Sequence, residues 1–419
     1  MKTVTLREIT LNITDGKHGD CEPAENSGYY FVSCKDVNNG TIDYANARQI
    51  SERAFLETHK RTQLEPNDIL ITNSGTIGRM ALVKDIPETY RTTFQKSVAI
   101  VKPDISVVLP TYLYYKLQNC VTDFVNCSNG SAQKNLLLGT MRKFQIDLHE
   151  DFAQQERLSS ILAAYDNLIE NNQKQIKLLE EAARRLYKEW FVDLRFPGYE
   201  DTPIVDGVPE GWEKVPVGNL ISYEIGGGWG EETPTGKCIR EAYVIRGTDL
   251  YGIAHGDLLS IPFRYHVESN LSSRKLKDGD IVFEVSGGSR TEGVARCLLI
   301  TSSMLNVWRK DVMCASFCKL IRPQFGFSQY LHDCIKHLRA TGKTEEYDKR
   351  SASSIVNYRW KDFLSQELVL RPSEEILDHY NGVAKEIYSK AINCSLQIES
   401  AKKARDRLLP KLISGEIEV

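Results

Sequence analysis

A long stretch without helix-breaking residues, Gln154 to Phe191, limits the possible folds of this chain more than any other feature. It contains no glycine or proline, the residue types that interrupt helices most strongly, so it is predicted to form one helix. Its seven-residue repeat follows two seams, which comprise Leu162, Ile169, Ile176, Ala183 and Trp190, and Tyr165, Asn172, Leu179 and Leu186. This spacing is typical of a helix that packs along its length against a partner helix, with the polar Asn172 setting the register. An ordinary amphipathic helix on a globular core is the alternative that the periodicity leaves open.

A second stretch of the same kind, Leu377 to Ile413, aligns with the first at an offset of 222 residues and supplies the partner. Its seams comprise Leu377, Ala384, Ala391, Ile398, Arg405 and Leu412, and Tyr380, Ile387, Cys394, Ala401 and Leu408. Arg405 does not fit the apolar pattern and is expected to extend outwards along its aliphatic stem. We therefore predict two long helices packed as an antiparallel coiled coil.

The rest of the chain divides into two similar domains, 1–150 and 213–372, in which short β-prone runs alternate with turns. Matching segments recur in the same order, such as DILITNSG from Asp68 and DIVFEVSG from Asp280. The offset is expected to grow once after this turn, through an insertion of about eight residues in the second copy. A Pro- and Gly-rich linker, 195–212, separates the halves, and the helical segments occupy 151–194 and 373–419. The predicted fold is α+β, with two duplicated turn-rich domains, two long helices and pseudo-twofold symmetry.

Composition excludes some classes of protein and leaves others open. The 419 residues exceed what one ordinary core needs, and 41% hydrophobic with 26% charged residues is typical of globular proteins. No apolar run approaches the roughly 18 residues of a membrane helix. Ten cysteines without a C-x-x-C pair indicate reduced thiols, and we expect a cytoplasmic protein. A net charge of −3 means that binding to nucleic acid would require basic side chains clustered on one face.

Several motifs together resemble the specificity subunit of type I restriction–modification systems. The resemblance covers essentially the whole chain and rests on LLEEAARRLYKEWFVDLRFPG, VPEGW, DRLLPKLISGEIEV, NDILITNSGTIG, and GGGWG followed by VIRGTDL. It implies that the two domains are target recognition domains, each reading one half of a bipartite, asymmetric site in double-stranded DNA. It also implies that the helices set the unread spacer and dock two N6-adenine methyltransferase (modification) subunits. Whether motor–nuclease (restriction) subunits join is left open.

Matched polar turns in the two domains supply candidate DNA contacts. The hydroxyl and amide groups of Ser, Thr and Asn bind phosphate oxygens, and Arg reads guanine O6 and N7. The candidates of the first domain are Lys17, His18, Lys35, Asn73, Ser74, Thr76, Arg79, Lys134 and Asn135. Those of the second are Trp229, Arg246, Thr248, Ser286, Ser289, Arg290, Lys349 and Arg350. For the glycine-containing turns Asp15–Gly19 and Gly226–Gly230, a simple strand connection is an equal alternative.

No motif indicates catalysis, a cofactor or a metal. Adenine methyl transfer needs an Asp/Asn-Pro-Pro-aromatic tetrapeptide, and the chain has no Pro-Pro. Gly342-Lys343-Thr344 resembles the end of a phosphate loop, but its first glycine position is His337. The eight histidines show no metal-ligand spacing. We therefore expect a non-catalytic DNA-recognition subunit, and the alternative is a coiled-coil scaffold that binds only protein.

Overall fold

The structure is a computed structural model that describes residues 1–38, 40–130, 134–288, 293–350 and 355–417. It contains two compact units. The first comprises Met1–Asn167 with Lys402–Val419, and the second comprises Leu168–Ala401. Because the end of the chain packs with its beginning, the units do not follow chain order.

The first unit is a mixed α/β structure built on short strands. Its elements are β1 (Lys2–Thr5), β2 (Thr10–Asp15), β3 (Tyr30–Val32), β4 (Val37–Asn38), β5 (Thr41–Ile42), β6 (Arg48–Gln49), α1 (Glu52–Thr62), β7 (Ile69–Thr72), β8 (Met80–Leu82), β9 (Thr92–Phe94), β10 (Val98–Pro103), α2 (Pro110–Asn119), α3 (Val121–Asn126), α4 (Leu138–Lys143), β11 (Gln145–Leu148) and the start of α5 (Phe152–Tyr187). The strand order is β2-β10-β7-β8 in the main sheet and β6-β3-β9 in a second sheet, with β1-β11 and β4-β5 as pairs.

The second unit has the same kinds of element. They are β12 (Ile204–Val205), β13 (Val208–Pro209), β14 (Glu213–Pro216), β15 (Ile221–Gly226), β16 (Arg240–Ile245), α6 (Leu250–Ala254), β17 (Phe263–His266), α7 (Glu268–Arg274), β18 (Ile281–Glu284), β19 (Ser286–Gly287), β20 (Cys297–Leu299), α8 (Ser302–Trp308), β21 (Val312–Cys314), β22 (Cys318–Pro323), α9 (Ser328–Ala340), β23 (Asp348–Arg350), β24 (Val356–Tyr358), α10 (Trp360–Gln366), β25 (Leu368–Arg371) and most of α11 (Glu374–Ser414). Its main sheet has the order β15-β22-β18-β20, and a second sheet has β17-β16-β21.

The two main sheets have the same strand order and the same antiparallel pairing. In each unit a parallel pair, β3 with β9 or β16 with β21, forms part of the second sheet. The central strands are buried because they carry continuous apolar runs, such as Val98–Val101 in β10. A helix beginning at Pro110, a residue favoured in the first helical turn, then covers the main sheet of the first unit.

The numbering offset between equivalent residues of the two units changes differently from the sequence-based expectation. Ile69, Leu82 and Ile100 correspond to Ile281, Leu299 and Leu320, at offsets of 212, 217 and 220. The expected single insertion is therefore wrong, and the extra residues enter in two steps. The first lengthens the connection from β18 to β20, and the second accommodates α8 between β20 and β21.

Both long helices extend across the boundary between the units. The central helix α5 ends at Tyr187 and continues as a π-helical turn, Lys188–Val192. In the second unit α5 and α11 run antiparallel, since Gln175 contacts Cys394 and Trp190 contacts Tyr380. Of the seam residues, Leu162, Ile169, Ile176 and Ile398 are buried, whereas Leu179, Leu186, Ile387 and Leu408 are half-buried.

Arg405 does not extend outwards, so that expectation is wrong. Its Nη1 donates to Asp166 Oδ1 at 2.6 Å, and the hydroxyl of Tyr115 donates to the other carboxylate oxygen at 2.6 Å. The arginine is 24% exposed and the aspartate 29%, so both lie mostly inside the packed surface. The Asp166 carboxylate on the facing helix therefore compensates the positive charge of Arg405, which can remain largely buried in the seam. Among the helices in the described ranges, none has the length and apolar character needed to cross a membrane.

Candidate nucleic-acid interface

Several predicted loops of the first unit meet at the turn between β9 and β10. The backbone N–H of Lys17 donates to the carbonyl of Phe94 at 2.8 Å, and Lys96 N–H donates to the carbonyl of Lys17 at 3.0 Å. These two bonds fix the loop after β2 against residues 94–96. The loop is therefore held in place by backbone contacts that do not depend on its side chains.

The same turn also organises the other polar loops. Asn73 N–H donates to the carbonyl of Ser97 at 3.0 Å, and Cys34 N–H donates to Ser97 Oγ at 3.1 Å. Leu136 N–H in turn donates to the carbonyl of Asn73 at 2.8 Å. We call the described residues of 15–19, 33–38, 73–79, 95–97 and 129–136 the first loop cluster.

The first loop cluster presents cationic side chains to solvent. His18, Lys35, Thr76, Arg79 and Lys134 are exposed, and Lys17, Ser74 and Asn135 are half-buried. Lys96 is exposed as well, although the repeat did not point to it because its counterpart is Ser316. Its position in a short turn between two strands is the signal that could have identified it. Because the chain as a whole carries no excess of positive charge, binding to DNA requires a local cluster of basic side chains. The first loop cluster contains such a group.

Asn73 differs from the other candidates because it is only 7% exposed. Its Oδ1 is buried and has no hydrogen-bond partner among the described residues. Its backbone connects two loops, so the residue acts inside the cluster and not on its surface. Asn73 is thus buried and not exposed, and its contact with DNA remains a prediction.

The glycines of the matched turns serve the protein's own backbone. A Cβ atom at Gly16 would lie 1.9 Å from the carbonyl oxygen of Phe94, and one at Gly227 would lie 2.2 Å from that of Ala315. Neither distance is possible for a side chain, so only glycine permits this packing. At these two positions the strand-connecting role explains the glycine without a ligand.

A corresponding cluster surrounds the turn between β21 and β22 in the second unit. Gly228 N–H donates to the carbonyl of Cys314 at 2.9 Å, and Ala315 N–H donates to that of Ile245 at 2.8 Å. Val285 and Ser286 both donate their N–H groups to the carbonyl of Phe317, at 2.9 and 3.2 Å. We call the described residues of 226–230, 246–249, 284–288, 315–317, 348–350 and 355–357 the second loop cluster.

A serine–asparagine pair recurs in both clusters. Ser74 pairs with Asn135 across an antiparallel bridge, and Ser286 pairs with Asn357 in β19 and β24. Ser286 Oγ donates to Asn357 Oδ1 at 2.9 Å. Asn357 is therefore the counterpart of Asn135, which the sequence did not single out. The offset that aligns the ends of the two domains, Leu148 with Leu370, would have identified it.

Lys134 and Asn135 therefore do not correspond to Lys349 and Arg350, the second-domain candidates nearest to this pair. Lys349 pairs with Asn357, as Asn129 pairs with Asn135. Lys349 and Arg350 thus lie on the opposite strand of this hairpin, where both are exposed. The Arg350 guanidinium lies 3.8 Å from the carboxylate of Asp348.

The arginine that precedes β8 or β20 has a different environment in each unit. Arg79 Nη1 donates to Asn38 Oδ1 at 2.8 Å, and the residue is exposed. Its counterpart is Arg296, which donates to both carboxylate oxygens of the buried Glu284 at 2.8 and 2.6 Å. The candidates Ser289 and Arg290 of the matched turn lie outside the described residues.

The remaining candidates of the second unit belong to the second loop cluster. Arg246 is half-buried, and its guanidinium donates to the carboxylate of Asp249 at 2.7 to 3.1 Å. Thr248 is exposed. Trp229 is 40% exposed, and the guanidinium carbon of Arg264 lies 4.7 Å from its ring centroid. The second cluster is accordingly more aromatic and less cationic than the first.

A cavity of about 410 Å³ in the second unit lies between α5, α6 and α9. His255 Nε2 lies 3.2 Å from Glu180 Oε2, and Lys336 Nζ lies 3.8 Å from Glu180 Oε1. Burial raises the pKa of Cys297, which also lines the cavity, to about 12, so it is a neutral thiol at pH 7. Within the described ranges, no group of three His, Cys, Asp or Glu residues is arranged to hold a metal ion.

Comparison with known proteins points to one family. Residues 15–181 match the Type I restriction modification DNA specificity domain. The type I restriction enzyme MjaIX specificity subunit of Methanocaldococcus jannaschii is 27% identical over 418 residues, covering 93% of this chain and 87% of the relative. The EcoBI specificity subunit of Escherichia coli is 29% identical over 159 residues, covering 36% of this chain and 33% of the relative. A crystal structure of the S subunit from M. genitalium matches 98% of this chain and 95% of that chain, with a TM-score of 0.56 and 11% identity, which is a likeness of fold.

Proposed function

We propose that this chain is a specificity subunit of a type I restriction–modification system and that it reads a bipartite, asymmetric site in double-stranded DNA. Each unit would read one half-site through its loop cluster. The chain itself would bind and position DNA, while partner subunits carry out the chemistry.

One observation carries the proposal: the two clusters share a backbone frame but differ in their side chains. The frame includes the serine–asparagine pair and the strand turn that holds the neighbouring loops. On this frame His18 corresponds to Trp229, and the exposed Arg79 corresponds to the sequestered Arg296. Two readers with one architecture and different surfaces suit two different half-site sequences.

The charges of the first loop cluster support contact with DNA and not with protein alone. Exposed Lys35, Lys96 and Lys134 are suited to phosphates, and Arg79 is suited to a guanine edge. A scaffold that binds only protein has no need for such a concentration of exposed cations on one loop cluster. That alternative therefore has less support.

We further propose that α5 and α11 set the unread spacer and dock two modification subunits that methylate adenine. Leu178 is 70% exposed on α5, and Val383 is 46% exposed on α11. Apolar side chains in water on long helices favour coverage by a partner protein. Motor–nuclease subunits joining the same assembly would add restriction to methylation.

A chimaeric chain tests the division of labour between the units. Residues 1–150 are replaced by a second copy of residues 213–372, and the methylated sites of cells with the modification subunits are mapped. The proposal predicts that the second half-site appears on both sides of the spacer, in inverted orientation. Methylation in which the original first half-site persists, from a chimaera that assembles normally, would contradict it.

A further inference from the structure

Phe317 is an exposed aromatic residue in the middle of the second loop cluster. It lies in the turn between β21 and β22 and is 57% exposed. Its carbonyl oxygen accepts the N–H groups of both Val285 and Ser286. The backbone is therefore fixed by two hydrogen bonds while the side chain remains in solvent.

The corresponding turn of the first unit shows that the fold does not require an aromatic residue here. The register of the flanking strands aligns Phe317 with Ser97. Ser97 Oγ accepts a bond from Cys34 N–H and donates to Gln95 Oε1 at 3.2 Å, so it serves the cluster internally. The same turn thus carries an internal hydroxyl in one unit and an external apolar ring in the other.

A second exposed aromatic residue lies on the neighbouring loop. Trp229 follows Gly228, whose N–H donates to the carbonyl of Cys314 in the strand that leads into the Phe317 turn. Its counterpart in the first unit is His18. Two polar positions of the first loop cluster are therefore aromatic in the second, which changes the kind of base edge that the surface favours.

We propose that Phe317 contacts the C5-methyl group of a thymine in the half-site that the second unit reads. The inference rests on the proposed function and adds a chemical specificity to it. In the major groove, the thymine methyl is the apolar group among the base-edge features, the others being hydrogen-bond donors and acceptors. A phenyl ring offers no hydrogen bond to a phosphate or to another base edge, so a thymine matches it best.

Deoxyuridine substitution tests this contact because it removes only the methyl group. The full complex of this chain with its modification subunits is titrated with duplexes in which each thymine of the second half-site is replaced in turn. For the wild-type chain we expect about fourfold weaker binding at one position, since a buried methyl-sized group contributes about 0.8 kcal/mol. The Phe317→Ser variant, which carries the residue of the first unit, should bind both duplexes equally at that position.

Phe325 provides a matched control, because it is a fully exposed phenylalanine beyond the opposite end of β22. The Phe325→Ser variant should discriminate thymine from deoxyuridine as the wild type does. Deoxyuridine in the first half-site should have the same effect on the wild-type and Phe317→Ser complexes.

Three results would overturn the inference. One is a wild-type complex that binds its site specifically but shows the same affinity after each thymine of the second half-site is replaced by deoxyuridine. Another is a Phe317→Ser complex that assembles normally and still discriminates thymine from deoxyuridine at that position. Absence of any site preference in the wild-type complex would instead defeat the proposed function, and the thymine contact with it.

Discussion

At the scale of single residues, the environment of an arginine decides what it can recognise. Arg79 and Arg296 occupy the same place before equivalent strands. In the first unit Thr72 Oγ1 donates to the Thr76 carbonyl and accepts the Arg79 N–H, so the turn is held without the guanidinium. In the second unit, the guanidinium of Arg296 donates two hydrogen bonds to the carboxylate of Glu284 and is not available to a base. Only the first arginine is presented on the surface.

Arg79→Ala is therefore expected to weaken recognition at one base pair of one half-site. Loss of a bidentate guanine contact costs about 1–3 kcal/mol of discrimination. The measurement is the affinity of the full complex for duplexes carrying each base at each position. Arg53→Ala is the control, since Arg53 is exposed on α1 and paired with Glu57. If the substitution instead weakened binding equally for every duplex, Arg79 would contact a phosphate and not a base.

The pair formed by Glu180 and His255 predicts a pH dependence of stability. Burial opposes the charge on His255, but its hydrogen bonds to Glu180 and to the Tyr251 carbonyl outweigh burial and raise its pKa above 6.5. Burial likewise opposes the charge on Glu180, yet the bond to His255 and the charge of Lys336 lower its pKa below 4.5. The stabilisation from His255 is complete below pH 6.5 and is lost as the pH rises through its raised pKa. That from Glu180 is present above pH 4.5 and is lost as the pH falls through its lowered pKa.

Glu180→Gln should consequently lower the melting temperature most between pH 4.5 and 6.5. We expect a decrease of about 2–4 °C there, corresponding to about 1 kcal/mol, and a smaller one at pH 9. Thermal unfolding of the full chain at both pH values gives the comparison. Glu386→Gln, at an exposed position of α11, should show no such dependence. An equal decrease at both pH values would mean that His255 contributes nothing.

At the scale of elements, the long helices carry a polar residue where the apolar pattern predicts burial. Asn172 is 3% exposed, and its Nδ2 has no hydrogen-bond partner among the described residues. An unsatisfied buried donor costs about 1–3 kcal/mol. Asn172→Leu should therefore raise the free energy of unfolding by about that amount, as measured by urea denaturation. The neighbouring Asn171 is exposed, so Asn171→Leu should change stability little. A less stable Asn172→Leu variant would show that the amide is satisfied in solution.

The elements also show which features a sequence reveals. Periodicity predicted the two long helices near their observed positions because burial of one face repeats with the helical turn. Arg405 was misjudged because its partner, Asp166, lies on the facing helix, where spacing along one helix gives no information. Arg296, the true counterpart of Arg79, emerged only from strand register, since the insertion that shifts it lies in a connection without periodicity. Exposed loop residues show no periodic pattern of burial. The chemistry of the turns could therefore suggest that these residues act together, but the sequence could not show which loops meet in the structure.

At the scale of the whole molecule, the proposal assigns the spacer to the helices and the half-sites to the loop clusters. An insertion of four residues after Gln173 adds about one turn, or about 6 Å, to α5. We expect the methylated motif to keep both half-sites and to gain about two base pairs of spacer, since base pairs rise about 3.4 Å each. The same insertion between Asp206 and Gly207, in the turn between β12 and β13, is the control and should leave the spacer unchanged. If the insertion in α5 left the spacer length unchanged, α5 would not set the spacer.

The most direct test of the central claim is a map of adenine methylation by single-molecule sequencing. DNA is compared from cells that express this chain with its modification subunit and from cells that lack only this chain. DNA recognition by two units predicts a split motif, two defined half-sites around an unread spacer, that disappears with the chain. An identical methylome in both strains, with the assembled complex demonstrated in the first, would contradict the account and favour a protein-binding scaffold.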